Sequence, residues 1–80
     1  MIKLTQAPLN VDCIIQGVEE KGIGLKLMEM GLVPGVKIKR TVDAPAGDPI
    51  AILVDDSFLL GIRKSEADLV TVYLIKQLKK

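Results

Sequence analysis

The sequence contains no histidine, no tryptophan and a single cysteine, Cys13. The residue counts therefore exclude zinc, copper and iron sites built from Cys and His ligands, and they exclude Ser-His and Cys-His nucleophilic pairs. One cysteine also excludes an internal disulfide and suits a reducing compartment. Because Cys13 lies among Val11, Ile14 and Ile15, we expect its thiol to be buried and unreactive.

Aromatic residues, net charge and long apolar runs are also scarce. Phe58 and Tyr73 are the only aromatic residues, and the formal net charge is +1. Neither base stacking nor a strong electrostatic field therefore favours nucleic acid binding. The longest apolar runs, such as Ile50–Val54, are too short to span a bilayer, and no signal peptide opens the chain. We expect a cytoplasmic protein that neither binds nucleic acid nor inserts into a membrane.

Carboxylates are the remaining candidates for chemistry, and they fall in predicted loops and turns, where Asp and Glu are usually solvated. Weak binding of a hard cation at Asp55 and Asp56 stays open as an alternative. The glycines do not form a phosphate-binding loop, since neither GxxxxGK[ST] nor GxGxxG occurs. We expect no catalytic residues, no cofactor and no metal ligands. The protein is predicted to act by being bound, and not as an enzyme.

The chain is predicted to form one domain, residues 1–80, because 80 residues leave no room for a second core. Residues 76–80 contain three lysines and are predicted to be a basic tail. Apolar and β-branched runs predict five strands, at residues 11–18, 36–42, 50–54, 58–62 and 69–75, with a bend or bulge at Gly17. A single helical turn is expected around Ser65–Asp68. Short strands at this spacing, with one helix inserted after the first strand, predict a mainly β fold in the form of a small closed barrel.

The only segment with strong helical character is LKLMEMGLVPG, residues 25–35. Gly31 follows the last good helix former and is predicted to provide a left-handed C-terminal cap. Pro34 and Gly35 suit the second and third positions of a type II turn. Gly47 and Pro49, in the connection Ala44–Pro49, are likewise assigned to the architecture of turns.

This helix has two apolar faces, although a short helix lying on a barrel needs one. At 100° per residue, Leu25, Met28 and Leu32 fall on one side, while Leu27 and Met30 fall opposite, next to Lys26. One interpretation is that the helix is wedged into the barrel and both faces are core. The other is that Lys26, Leu27 and Met30 form a docking surface for another protein, in which flexible methionines are common.

Three segments resemble the FeoA family, the small cytosolic component of bacterial ferrous iron uptake. They are LMEMGLVPGVKIKR, APAGDPI and LLGIRKSEADLVTV, which occur in this order and together with the strands between them cover nearly the whole chain. The resemblance implies an SH3-like β-barrel of about five strands with a helical insertion. It also implies a non-enzymatic accessory that binds FeoB, the membrane iron transporter with a cytosolic GTP-hydrolysing domain.

The same barrel is similar to the C-terminal domain of metal-dependent repressors of the DtxR type. In those regulators it follows a DNA-binding half and a dimerisation half, and this chain has neither. A free-standing regulatory module related to the repressors is therefore the alternative to a transporter accessory. Polyproline binding fits poorly, because such grooves are lined with aromatic residues.

Overall fold

The computed structural model describes residues 1–20 and 22–75 as a six-stranded sheet in which all paired neighbours are antiparallel. The strands are β1 (Ile2–Lys3), β2 (Asp12–Val18), β3 (Lys37–Arg40), β4 (Ile50–Val54), β5 (Phe58–Ile62) and β6 (Val70–Leu74), and their order in the sheet is β1-β6-β2-β3-β4-β5. The two helices are α1 (Ile23–Glu29) and α2 (Lys64–Ala67). The mainly β prediction is confirmed, and the count of five strands is wrong.

The strand that the sequence did not predict is β1. It has two residues, which pair with Val72 and Thr71 of β6, and a 3₁₀ turn at Leu4–Gln6 follows it. Two residues are too few to show an alternating pattern, so the sequence contains no local sign of this strand. The strand forms through its pairing with β6, which is distant in the sequence. As a result α1 follows the second strand in chain order, and not the first as predicted.

The predicted closed barrel is replaced by an open sheet. Strands β1 and β5 stand at the two ends of the strand order, and no ladder joins them within residues 1–20 and 22–75. The sheet packs around one buried cluster to which every strand from β2 to β6 contributes. Its members are Leu4, Ala7, Cys13, Ile15, Leu27, Leu32, Ile38, Ile50, Ile52, Val54, Ile62, Ala67, Val70 and Val72.

Strand β2 carries the bulge that the sequence predicted. Its register with β6 shifts between Ile15 and Gly17. Cys13 is fully buried in the core, and burial, with a smaller contribution from the charge of Asp12, raises the pKa of its thiol. A raised pKa keeps the thiol protonated and therefore weakly nucleophilic, as expected of a structural cysteine.

Strand β3 ends two residues earlier than predicted, at Arg40. The charged side chain of Arg40 lies on the same side of the strand as Ile38 and is buried. Arg40 is 9% exposed, and its Nη1 donates to the carbonyl oxygens of Thr5 at 2.9 Å and Ala7 at 3.1 Å. Its Nη2 donates to Oδ2 of Asp43 at 2.7 Å. The guanidinium therefore ties the N-terminal segment to the middle of the sheet. Val42, the last residue of the predicted strand, lies outside β3 and is 75% exposed.

Candidate docking surface

Helix α1 ends where the sequence predicted, in a Schellman motif built on Gly31. The N–H of Leu32 donates to the carbonyl of Leu27 at 3.1 Å, and the N–H of Gly31 donates to the carbonyl of Met28 at 3.0 Å. Gly31 has φ +106°, a conformation in which a Cβ is unfavourable. Leu27 and Leu32 both enter the core cluster, which supplies the hydrophobic contact that usually accompanies this motif.

The Pro34-Gly35 turn is also confirmed. Gly35 has φ +93°, and the N–H of Val36 donates to the carbonyl of Val33 at 3.2 Å, closing the turn. The N–H of Gly35 donates across to the carbonyl of Ile15 in β2 at 2.8 Å. The chain therefore leaves α1, reverses and enters β3 in a direction fixed by hydrogen bonds to the sheet.

The beginning of α1 is fixed by Gly24, a residue that the sequence reasoning missed. A Cβ built at Gly24 would lie 1.6 Å from the carbonyl oxygen of Glu19, which is much closer than any real contact. The face of α1 that carries Gly24 therefore rests directly on the backbone at the end of β2. The feature of the sequence that could have indicated this is a glycine inside the first turn of a helix, where glycine is otherwise unfavourable.

This contact rotates the helix away from the predicted orientation. With Gly24 facing the sheet, Leu27 is buried at 2% exposure, and Met28 is half-buried beside it. Leu25, predicted to face the core, is 49% exposed. The placement of Leu27 on a docking face is therefore wrong, since this residue is core. The predicted helical faces were based partly on Leu32, which lies beyond Glu29, the last residue of the helix. They also left out Ile23 and Gly24, which form its first turn.

Part of the predicted docking surface remains exposed, and new residues join it. Lys26 is exposed, and Met30 is 37% exposed. At 100° per residue, Leu25 borders one side of the exposed arc, Ile23 and Met30 border the other, and Lys26 lies with Glu29 between them. Val33, in the turn after the helix, is 36% exposed. We call this set the α1 surface: Ile23, Leu25, Lys26, Glu29, Met30 and Val33.

The α1 surface has a composition suited to binding a protein. Its four apolar residues are each at least 36% exposed, and two of its members carry opposite charges. When a partner covers this surface, the apolar residues at its border can exclude water from the two charged residues at its centre. Excluding water strengthens the polar contacts that these residues make with the partner.

The predicted turn residues of the 44–49 connection hold this loop against α2. Gly47 has φ +87°, and its N–H donates to the carbonyl of Ala44 at 2.7 Å. The carbonyl of Pro49 accepts from the N–H of Ala44 at 3.2 Å. Asp48, between them, accepts the N–H of Lys64 at 2.9 Å. Gly47 and Pro49 therefore shape the loop through backbone hydrogen bonds, as the predicted architectural role requires.

The acidic turn between β4 and β5 is engaged in structure. Asp55 and Asp56 have φ +53° and +55°, which Asp tolerates better than most residues. Oδ2 of Asp56 lies 2.5 Å from Nζ of Lys37, and this hydrogen bond lowers the pKa of Asp56 and raises the pKa of Lys37. Among residues 1–20 and 22–75, no group of three His, Cys, Asp or Glu side chains is arranged to hold a metal ion.

Two of the earlier predictions concern the later part of the chain, from Ser65 onward. The expected helical turn near Ser65 is present as α2, and at its start Glu66 accepts the N–H of Arg63 at 2.8 Å. The predicted basic tail at 76–80 lies outside the described residues. Within those residues, neither helix has the length and hydropathy needed to cross a bilayer.

Comparison with known proteins identifies the domain. A family model described as the FeoA domain matches residues 2–74 of the chain. A search of curated protein sequences gave no match.

Solved structures of FeoA proteins have the same fold. An FeoA-like protein from Clostridium acetobutylicum shares 31% identity, with a TM-score of 0.85 and coverage of 99% of this chain and 92% of the other. Iron(II) transport protein A from Clostridium thermocellum shares 36% identity, with a TM-score of 0.83 and coverage of 92% of this chain and 46% of the other.

A third similar structure is a zinc complex of FeoA from Stenotrophomonas maltophilia. It shares 26% identity, with a TM-score of 0.77 and coverage of 91% of each chain. That protein is described as a prokaryotic SH3 domain protein and as a candidate activating factor of bacterial ferrous iron transport.

Proposed function

This chain belongs to the FeoA family, and we propose that it is a non-enzymatic accessory factor of ferrous iron uptake that binds a membrane iron transporter. The partner is the cytosolic region of an FeoB-type transporter, and the contact is made by the α1 surface. The protein then works in the cytoplasm, where that region of the transporter is accessible.

The observation that carries the proposal is the exposure of Ile23, Leu25 and Met30 on and beside one short helix. These three side chains are 50%, 49% and 37% exposed. Burying an apolar side chain of this size contributes roughly 1.5–3 kcal/mol relative to leaving it in water. Because the three side chains are already about half buried, a partner that covers all three gains roughly half of this, on the order of 2–4 kcal/mol, which adds to the other contacts of the interface against the cost of association.

The support from similar proteins is of two kinds. The chain shares its fold and 26% of its residues with an FeoA described as a candidate transport activating factor. The residues that hold α1 in place, among them Gly24, Gly31 and Gly35, act on backbone geometry and offer no groups for catalysis. An accessory that acts by contact is consistent with both.

The test is a binding measurement between this protein and the isolated cytosolic domain of the FeoB-type transporter from the same organism. We expect Leu25→Asp and Met30→Asp each to weaken binding at least tenfold, because each replaces a buried apolar contact by a charge. Lys26→Glu should also weaken binding at least tenfold, since it reverses a charge at the centre of the surface, where a covering partner excludes water and strengthens polar contacts.

A matched control is Leu59→Asp, since Leu59 is 66% exposed on β5 and is not part of the α1 surface. This variant should bind the transporter domain as the wild type does. All variants are checked for folding by circular dichroism and thermal denaturation. Folded Leu25→Asp and Met30→Asp proteins that bind with wild-type affinity would refute the proposed contact.

A further inference from the structure

Among residues 1–20 and 22–75, strand β5 is an edge strand without the protection that edges usually carry. It stands at one end of the strand order, and its sequence is FLLGI, with no charged residue and no proline. Phe58 is 45% exposed and Leu59 is 66% exposed. Soluble proteins usually place lysine, proline or a bulge on such an edge, because the unpaired backbone groups otherwise accept another strand.

We propose that β5 pairs with β5 of a second copy of this chain, antiparallel and related by a two-fold axis at Leu60. This register pairs all five residues of the strand. It joins the two six-stranded sheets into one continuous sheet across the axis. An interface of this kind is isologous, so each contact occurs twice.

The side chains of β5 are self-complementary in this register. Leu59 and Gly61 share a face of the strand, because side chains two residues apart point to the same side. Around the axis at Leu60, Leu59 of one copy lies opposite Gly61 of the other. The space at Gly61 is open, with no heavy atom within 4 Å of a Cβ placed there. Leu59 of the second copy can therefore cover this backbone, and Phe58 lies opposite Ile62 on the other face.

Charges at the two ends of β5 favour the same antiparallel arrangement. The strand is preceded by Asp55 and by Asp56, which also binds Lys37, and it is followed by Arg63 and Lys64; all four residues are exposed. When two copies run in opposite directions, the acidic end of each lies beside the basic end of the other. A parallel arrangement would instead place like charges together. Charge complementarity therefore selects a second copy, in this orientation, as the occupant of the edge.

The expected association is weak. Stable interfaces bury about 1,200–2,000 Å² in total, and pairing of two five-residue edges falls short of that range. We therefore expect a dissociation constant on the order of 100 μM, within reach of measurements at millimolar protein concentration. Association of this kind is independent of the α1 surface and of the proposed transporter contact.

The first experiment measures self-association of the whole chain by sedimentation equilibrium between 20 μM and 1 mM, with NMR spectra over the same range. The wild type should show dimer formation, and the amide shifts that change on dilution should fall at residues 58–62. Leu59→Lys should weaken association at least tenfold, because it places a charge on the pairing edge. Leu25→Lys is the matched control on the α1 surface, and it should dimerise as the wild type does.

The second experiment tests the charges by exchange. Asp55→Lys and Arg63→Glu should each weaken self-association about tenfold, because each places like charges together at two equivalent positions. An equimolar mixture of the two variants should recover dimer formation, since the mixed pair restores opposite charges at both ends. If strain at the positive φ of Asp55 unfolds that variant, Leu59→Lys still decides the question.

The outcomes separate clearly. A wild-type chain that stays monomeric at 1 mM would overturn the proposal, as would dimerisation that persists in folded Leu59→Lys. Loss of dimer in Leu25→Lys with retention in Leu59→Lys would move the contact to the α1 surface and also overturn it. If the mixture of folded Asp55→Lys and Arg63→Glu proteins did not associate, the acidic and basic ends of the two strands would not face one another. That result would overturn the antiparallel arrangement.

Discussion

The two helices of the domain contact each other but meet solvent with different chemistry. Helix α1 exposes Ile23 and Leu25, whereas α2 exposes Lys64 and Ser65 and buries its one apolar residue, Ala67. Both helices are short and belong to the same small domain. The apolar residues on α1 are therefore not an unavoidable result of the size of the chain, and this contrast supports a binding role for the α1 surface.

The helices are also attached differently. Helix α1 is held by apolar packing of Leu27 and by close backbone contact at Gly24. Helix α2 buries only the small side chain of Ala67, and polar links add to its attachment, with Asp48 accepting the N–H of Lys64 and Oγ1 of Thr5 donating to Asp68 at 2.6 Å. Apolar packing is insensitive to pH and salt, so α1 should keep its position over a wider range of conditions.

The largest expected effect separates two leucines of α1. Leu27→Ala should lower the free energy of unfolding by about 3 kcal/mol, because it leaves a cavity in the core. Leu25→Ala removes the same atoms from a side chain that is half exposed and lies two residues earlier in the helix. This substitution should lower the free energy of unfolding by less than about 1 kcal/mol. Urea denaturation of both variants measures the difference. Equal losses would mean that the orientation of α1 is not the one described.

Gly24→Ala tests the backbone contact that sets this orientation. An exposed helical glycine replaced by alanine normally gains up to about 1 kcal/mol. Here the new Cβ meets the Glu19 carbonyl, and we expect a loss of about 2 kcal/mol. The sign of the change in urea midpoint decides between these expectations, and a stabilised variant would contradict the close contact.

Gly31→Val tests the end of α1 and should cost about 1.5 kcal/mol, because a β-branched residue is strained at positive φ. Gly61→Val is a matched control, since a Cβ at either glycine meets no atom within 4 Å and only Gly31 has positive φ. Valine suits a strand, so Gly61→Val should be neutral or stabilising. Thermal denaturation at low protein concentration compares the two.

The polar attachment of α2 is expected to contribute less. Thr5→Val removes the donor to Asp68 while keeping the shape of the side chain, and it should cost about 1 kcal/mol. Asp68→Asn keeps an acceptor oxygen and should cost less than Thr5→Val. Chemical denaturation of both variants checks this order, and a larger loss in Asp68→Asn would indicate that charge, and not the hydrogen bond itself, is what matters.

The smallest effect concerns the Lys37–Asp56 pair and its dependence on pH. Because the folded pKa of Asp56 is lowered, the pair stabilises the fold above the ordinary carboxyl range, and this contribution is lost as the pH falls through it, below about pH 4. Because the pKa of Lys37 is raised, the contribution is also lost at strongly alkaline pH. Thermal midpoints of wild type and Lys37→Gln should differ at pH 7 and converge as the pH falls below the ordinary carboxyl range. A constant difference would show that the ion pair is not responsible.

The sequence was most informative where structure is set locally. The bounds of β4 and β5 match their predicted ranges, because continuous apolar runs flanked by turn residues leave little choice of boundary. The helix cap at Gly31 and the turn at Gly35 were predicted for the same reason, since a positive φ is set by a few neighbouring residues.

The sequence was least informative where distant parts of the chain meet. The orientation of α1 depends on the contact between Gly24 and Glu19, and a helical wheel contains no such information. Arg40 lies on the same side of β3 as Ile38, yet nothing near it in the sequence indicates two of its acceptors, which lie 35 and 33 residues earlier, at Thr5 and Ala7. The partner-binding residues predicted on α1 were correct for the exposure of Lys26 and Met30 and wrong for Leu27.

The pairing of β1 with β6 has a consequence for how the protein is made. Ile2 lies opposite Val72, so this pairing joins residues that are far apart in the sequence. Such long-range closure is slow compared with local folding. Until β6 has been synthesised its edge does not exist, and Ile2 and Lys3 have no strand partner. Strand β1 therefore joins the sheet only after β6 has left the ribosome, whereas the hairpin of β4 and β5 can form earlier from neighbouring residues.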